Sequence, residues 1–369
     1  MNSSPRMADP RAAVARARRV VVKIGSRTLA AGGQVFDSLA SAVSARRSSS
    51  FVIVSSGAIA LGMKKLGYRA RPKEMAKLQA AAAAGQSLLM RAYEEAFEAR
   101  GVSVAQVLLT HADLADRVRA NNARAALGAL LEARAVPILN ENDSVAVDEI
   151  RFGDNDQLAA MVSPLVDAEL LVLLSDVDGL LDSEGRRIST VHDVASEALP
   201  HIRKSTSTVG TGGMGSKVEA ARRATLAGAN VVVADAREPD TLPRVLAGED
   251  VGTLFVAATE RLAAKKFWIA FTLRPKGDVL LDRGAAEAVR AKGKSVLSVG
   301  VLGVRGDFRA GDAVRLVDVE GRELARGLAR CTAADAALAA GKAREDLPEE
   351  LASLAMVVHA DDLVVGGHL

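Results

Sequence analysis

The sequence predicts an α/β fold, an open, mainly parallel sheet sandwiched by helices, joined to a small β-rich domain. Short apolar runs at 20–24, 51–54, 104–109, 136–139, 170–174 and 230–234 are continuous rather than alternating, as expected of strands buried on both faces. Between them lie helix-length, Ala- and Leu-rich stretches at 74–100, 113–134 and 217–228. Alternation of strands and helices at this spacing builds a parallel sheet covered on both sides. After residue 266 that alternation stops. Runs at 267–273, 278–281, 295–304, 313–319 and 323–330 read as short strands divided by Gly-Asp and Glu-Gly turns, with helices at 284–292 and 333–344.

A chain of 369 residues is longer than most single domains. The expected organisation is a flexible basic tail over 1–18, an α/β domain over 19–258, a linker near 258–266 and a β-rich domain over 267–369. The tail is rich in Arg and Ala but lacks the apolar core of a secretory signal. No run of 18 uncharged apolar residues marks a membrane span. Forty-eight basic against 45 acidic residues leave a formal charge of +3, which disfavours a general nucleic-acid binder. A single cysteine, Cys331, excludes an intrachain disulfide and a cysteine-based metal cluster. The expectation is a soluble, cytoplasmic protein with no membrane attachment.

In open α/β sheets, ligands gather outside the C-terminal ends of the strands. Polar clusters fall at those places here. Lys23, Gly25 and Ser26 follow the first run. Ser55, Ser56 and Gly57 follow the second and open a helical stretch whose N-terminal amides could hold an anion. Asn140, Glu141, Asn142 and Asp143 follow the run at 136–139. Gly153-Asp-Asn-Asp-Gln157 opens the next helical segment, and Ser175-Asp-Val-Asp-Gly179 follows the run at 170–174.

Phosphoryl transfer requires cations and amides around the migrating group, acidic residues for Mg²⁺ or for orienting lysines, and donors that hold the acceptor. Lys23 and Lys217 qualify as phosphate clamps. Asp154, Asp156 and Asp176 can orient them or bind Mg²⁺. Asn140, Asn142, Asp143 and Asn155 suit a zwitterion, with the Asp143 carboxylate on its ammonium. A carboxylate acceptor is already a nucleophile, so the absence of a His from this set fits. Singly, each residue has a plainer reading: a Lys after a strand is ordinarily a solvated charge, and Asp178-Gly179 is a turn signal. Their joint placement after successive strands favours a site.

Gly210-Thr-Gly-Gly-Met-Gly-Ser-Lys217 almost forms a Walker A loop, but Ser216 precedes the Lys where Gly is needed and Val218 follows where a hydroxyl is needed. Its ingredients for holding phosphate belong to another architecture, and on composition alone the run also reads as a flexible loop.

Val22-Lys-Ile-Gly-Ser26, Ile53-Val-Ser-Ser-Gly-Ala-Ile-Ala-Leu-Gly62, Asn140-Glu-Asn-Asp-Ser-Val-Ala146, Gly153-Asp-Asn-Asp-Gln-Leu158, Leu174-Ser-Asp-Val-Asp-Gly-Leu180, the glycine loop and Val251-Gly-Thr-Leu-Phe255, in this order, resemble the glutamate 5-kinase family of the amino-acid kinase superfamily. The C-terminal part resembles a PUA domain through Asp282-Arg-Gly-Ala285, Gly306-Asp-Phe308 and Ala310-Gly-Asp312. The resemblance implies an amino-acid kinase fold with a sheet near eight strands, and ATP-dependent phosphorylation of the γ-carboxylate of L-glutamate, the first step of proline biosynthesis. Mg²⁺ would arrive with ATP rather than be bound strongly by the protein alone.

By the same resemblance Lys23, Lys217 and Asp156 are catalytic. Ser56, Gly57, Asn140, Asn142, Asp143 and Asn155 bind glutamate, while Asp154 and Asp156 organise the site. Lys23, Gly25, Ser175, Asp176, Gly212, Gly213, Met214, Gly215 and Lys217 hold the nucleotide. It further implies proline as feedback inhibitor, homo-oligomers assembled through the kinase domain, and hand-off of the product to glutamyl phosphate reductase. Arg27 stands where a small residue is frequent in that family. The alternatives are a sibling kinase acting on another small carboxylate, carbamate or phosphate, and an RNA-binding PUA protein with a non-catalytic kinase domain. From residue 267 onward 14 Lys or Arg face 15 Asp or Glu, a balance unlike a nucleic-acid footprint.

Overall fold

The apolar runs become strands β1 (Arg19–Ile24), β2 (Ser50–Val54), β3 (Val104–Leu109), β4 (Val136–Glu141), β5 (Leu170–Ser175), β6 (Thr190–Val191), β7 (Asn230–Asp235) and β8 (Thr253–Phe255) of an eight-stranded sheet. The structure is a computed structural model and describes residues 9–29, 32–145, 155–202 and 213–366. Strand order is β3-β4-β2-β1-β5-β7-β8-β6. All neighbouring strands pair in parallel except β7 with β8. The chain leaves β1 toward β2 on one side and later returns to β5 on the other. The β1/β5 edge is therefore the topological switch point, where an open sheet leaves a crevice at its C-terminal ends.

The helices of this unit are α1 (Pro10–Arg16), α2 (Ser26–Leu29), α3 (Gly33–Ala45), α4 (Ala58–Lys65), α5 (Met75–Glu98), α6 (His111–Ala115), α7 (Arg117–Glu132), α8 (Asn155–Val162), α9 (Leu199–Ile202), α10 (Met214–Leu226) and α11 (Thr241–Leu246). They cover both faces of the sheet. Strand residues alternate between two cores. Val20, Val22 and Ile24 pack with α3, α5 and α11. Val21, Val54, Leu171 and Val231 pack with α8 and α10. This alternation puts Lys23, next to Val22, on the α8/α10 face.

One packing detail sets up the site. The α4 and α5 helices cross at Gly62 and Gly85, where a Cβ would lie 1.7 Å from the Ala81 carbonyl oxygen and 1.8 Å from that of Ala58, respectively. Only glycine allows this backbone approach. It brings the middle of α5 against the start of α4.

Two expectations fail. Residues 9–18 are not a frayed tail. Asp9 accepts from the Arg11 N–H, Pro10 starts α1, and Arg11 is buried. Its guanidinium donates to the carbonyls of Ser189, Glu249, Val251 and Gly252 and to Asp250. An Arg-rich composition suggests solvated charge, yet the planar fork of one Arg can satisfy a whole ring of loop carbonyls. The run at 267–273 is helical, not a strand: α12 (Ala264–Phe267) continues into a π-helical turn at Trp268–Thr272. Its aromatic content suggests a strand, but Phe267 and Phe271 meet one turn apart, with ring centroids 5.1 Å apart and planes tilted by 53°, a helical spacing.

The second compact unit begins at Leu262. Its six-stranded sheet has the order β10-β14-β13-β12-β9-β11, from β9 (Gly277–Leu281), β10 (Val296–Leu297), β11 (Val301–Gly306), β12 (Ala313–Val317), β13 (Glu323–Ala329) and β14 (Met356–Val365). Helices α13 (Arg283–Lys292) and α14 (Ala333–Ala339) accompany it. Its own core includes Val279, Leu316, Phe308 and the buried Cys331.

Candidate active site

The centre of the site is a buried ion triad at the C-terminal end of β1. Lys23 Nζ lies 2.5 Å from Asp156 Oδ1, and Lys217 Nζ lies 3.1 Å from Asp156 Oδ2. Asp156 is fully buried, and the two lysine side chains are 8% and 4% exposed. Three separate elements supply it: β1, the first turn of α8 and the first turn of α10. Burial opposes ionisation of Asp156, but the ammoniums of Lys23 and Lys217 outweigh it and hold the carboxyl below its usual range. Two ammoniums on one carboxylate leave an excess positive charge in a dry place. Such a cluster is costly alone and suited to an incoming anion.

A network of neutral side chains adjoins the triad through Asn155, the residue before Asp156. Asn155 Nδ2 donates to the Ser55 carbonyl, to Ser56 Oγ at 3.0 Å and to Asn140 Oδ1 at 2.9 Å. Asn140 Nδ2 in turn donates to Gln86 Oε1 at 2.9 Å. The Ser55 hydroxyl is 3.0 Å from that of Tyr93, whose phenol is pushed upward in pKa by burial. Gly57 precedes α4 with φ of +93° and, as a glycine, brings no side-chain cap to the first N–H groups of that helix. Such a helix start can hold a carboxylate.

Asp143 lies just beyond β4, and burial pushes its carboxyl up to about 6 against the opposing field of Arg71. Asn142 stays in the same loop, held by its own N–H to the Leu109 carbonyl at 3.0 Å. At the start of α10, Gly213 is the cap residue, Met214 packs on the core beside it, and a Cβ at Gly215 would meet only Ile202, at ordinary contact distance. Asp154 and Gly212 lie outside the described residues.

Ser175 and Asp176 do not join the triad. The Ser175 hydroxyl donates to Asp176, whose carboxylate pairs with Arg27 at 2.6 Å. The Arg27 contact holds the Asp176 carboxyl below its usual range. Asp176 and Arg27 line a cavity of about 300 Å³ with Ile24, Leu39 and Leu174, residues that pack on the sheet face opposite Lys23. Gly25 joins the strand ends by donating to the Leu174 carbonyl at 3.3 Å.

Gln86 and Tyr93 were invisible to sequence reasoning. A Gln inside an Ala-rich helix carries no motif. The only hint was the Gly85 beside it, which marks a close crossing.

A buried Lys–Asp–Lys triad at the switch point of a helix-covered parallel sheet, beside an amide network, defines a class. The family model described as "Amino acid kinase family" matches residues 18–235, and that for the PUA domain matches 277–351. Glutamate 5-kinase of Ralstonia nicotianae is 45% identical over 96% of this chain and 99% of its own length. Glutamate 5-kinase of Myxococcus xanthus is 47% identical over 96% and 98%. The chain belongs to the glutamate 5-kinase family of amino acid kinases and carries a C-terminal PUA domain. In fold alone it is also similar to N-acetylglutamate synthase of Neisseria gonorrhoeae, with TM-score 0.51, 16% identity, and 68% and 62% of the two chains covered.

Proposed function

We propose that this chain transfers the γ-phosphoryl group of ATP to the γ-carboxylate of L-glutamate, giving glutamyl 5-phosphate and ADP. The observation that carries the reading is the buried Lys23–Asp156–Lys217 triad next to the Asn155–Asn140 amides. A carboxylate oxygen of glutamate forms the new O–P bond as the bond from the γ-phosphorus to the bridging oxygen breaks, and ADP leaves with the electron pair. The excess positive charge of the triad stabilises the migrating group. The acceptor needs no deprotonation, which fits a site with no His among its described residues. Mg²⁺ arriving with ATP would supply charge neutralisation at the phosphates. Both oxygens of Asp156 face lysines, so its role is to position them.

Ser56 and Asn155 bind the acceptor on this reading, with Asp143 on its ammonium. Gly25, Ser175, Asp176 and the first turn of α10 face the nucleotide. Feedback by proline, assembly through the kinase unit, hand-off to a reductase and a cytoplasmic location belong to the same proposal. Among the described residues no helix is long and apolar enough to cross a membrane.

The test is ADP release with glutamate, aspartate, N-acetylglutamate and carbamate in turn, with the acyl phosphate trapped by hydroxylamine. Glutamate should be preferred, and proline should slow the reaction. Preference for another acceptor would overturn the assignment.

A further inference from the structure

We propose that Gln86 is a positioning residue for the acceptor site, and that through it Asn155 presents its carbonyl oxygen, not its N–H groups, to the acceptor's ammonium. The inference rests on glutamate being the acceptor.

Hydrogen-bond polarity fixes the geometry. A backbone carbonyl can only accept, so the Asn155 nitrogen must face Ser55. The same nitrogen donates to Asn140 Oδ1. Asn140 Oδ1 also accepts from the Glu141 backbone N–H at 3.0 Å, a group that can only donate. Asn140 is therefore anchored from two sides, and its nitrogen must face Gln86 Oε1. None of the three amides can be reversed without setting like groups against each other.

The orientation has consequences for what a ligand meets. The N–H groups of Asn155 are used within the protein, and its Oδ1 has no hydrogen-bond partner among the described residues. Ser56 Oγ accepts from Asn155, which leaves its own proton to donate. Acceptors at Asn155 and Asp143 with a donor at Ser56 match an ammonium and a carboxylate, the pattern of an amino acid. Gln86 comes from α5, brought here by the Gly62/Gly85 crossing. Its Nε2 is buried and has no hydrogen-bond partner among the described residues, so the network requires only an oxygen at that position.

That asymmetry supplies the test. Gln86→Met removes the oxygen and leaves the Asn140 N–H unpaired in a buried place. It should raise the KM for glutamate about tenfold while kcat changes less than about threefold. Gln86→Glu keeps an oxygen and should hold KM within about threefold of the parent. Phosphorylation of glutarate, which lacks the ammonium, is the second readout: Gln86→Met should lose most of the preference for glutamate over glutarate, and Gln86→Glu should retain it. A merely structural role would lower the melting temperature without changing that ratio. An unchanged KM in Gln86→Met, or a Glu variant as impaired as the Met variant, overturns the inference. If Gln86→Met fails to fold, the glutarate preference of Gln86→Glu decides. A parent protein that turns over ATP with no glutamate dependence overturns the acceptor reading and this inference together, a result distinct from variant failure alone.

Discussion

Asp143 should make the protein less stable in order to bind its acceptor, and Asp143→Asn separates the two effects. The carboxyl titrates near 6, against about 3.9 for the group in an unfolded chain. The folded state thus binds this proton more tightly than the unfolded state does. Stability contributed by the protonated form is present below about pH 4 and is lost as pH rises through about 6. A difference of about two pKa units sets an upper bound of about 3 kcal/mol on the cost of ionised Asp143 at pH 8. Asp143→Asn removes that cost. It should melt higher than the parent at pH 8 by the equivalent of about 1–3 kcal/mol, and the advantage should vanish near pH 4.

Acceptor binding should respond with the opposite sign. Loss of a charge-assisted contact to an ammonium should raise the KM for glutamate roughly 10- to 100-fold in Asp143→Asn. In the parent, binding requires the ionised form, so KM should rise about 11-fold between pH 8 and pH 5, and by only about one-tenth between pH 8 and pH 7. A carboxyl at its ordinary value would give almost no change over that range. Initial rates across pH, with melting curves in the same buffers, test both halves. A parent KM that is flat down to pH 5, or an Asp143→Asn protein less stable than the parent at pH 8, would refute the reasoning.

Further outcomes follow from the same structure. Lys217→Ala should lower kcat by a factor of about 100 or more with the KM for glutamate nearly unchanged, since its partner is charge on the migrating group; Asp156 retains Lys23, so circular dichroism should show a folded protein. Gly85→Ala places a Cβ 1.8 Å from the Ala58 carbonyl oxygen and should cost about 1–3 kcal/mol in urea unfolding, despite the better helix propensity of Ala. Because the displaced helix begins just after Ser56 and Gly57, the KM for glutamate should rise as well. Arg11→Met removes the Arg11 donor from the Val251 carbonyl and one of two donors from those of Ser189, Glu249 and Gly252 and should cost about 1–3 kcal/mol by the same unfolding assay; a change below about 0.5 kcal/mol would mean that α1 is not held by that residue.

The parts of the site legible in the sequence were those dictated by the period of a strand and the position of its end. Runs such as 20–24 and 170–174 gave β1 and β5, and with them the location of Lys23 and Ser175. Lys217 and Asp156 were nameable because each opens a helix directly after a loop rich in Gly, Asn or Asp. What failed had a common physical cause. Arg11, the run at 267–273 and Gln86 are decided by partners distant in sequence: a ring of carbonyls at 249–252, the spacing of two Phe rings, and the amide of Asn140. Local propensity assigns Arg to solvent, aromatics to strands and a helical Gln to a surface, and tertiary context overrode each.

The charge distribution of the site also orients the acceptor. Two lysines against one carboxylate leave positive charge at the end of β1, while Asp143 lies beyond β4 with its burial opposing ionisation. These strands are separated in the sheet by β2, so the two charged ends of the site stand at different positions along the mouth of the crevice. Glutamate lying along this axis places its γ-carboxylate toward the phosphoryl group at the lysines and its ammonium toward Asp143. The amides of Asn155, Asn140 and Gln86 lie between those ends without net charge, fixing the polarity of the hydrogen bonds and leaving the field to the ionised groups. A neutral acceptor of the same length, such as glutamine, lacks the anionic oxygen that attacks the phosphoryl group held at Lys23 and Lys217, so the preference for a charged γ-carboxylate comes from the acceptor's own nucleophile.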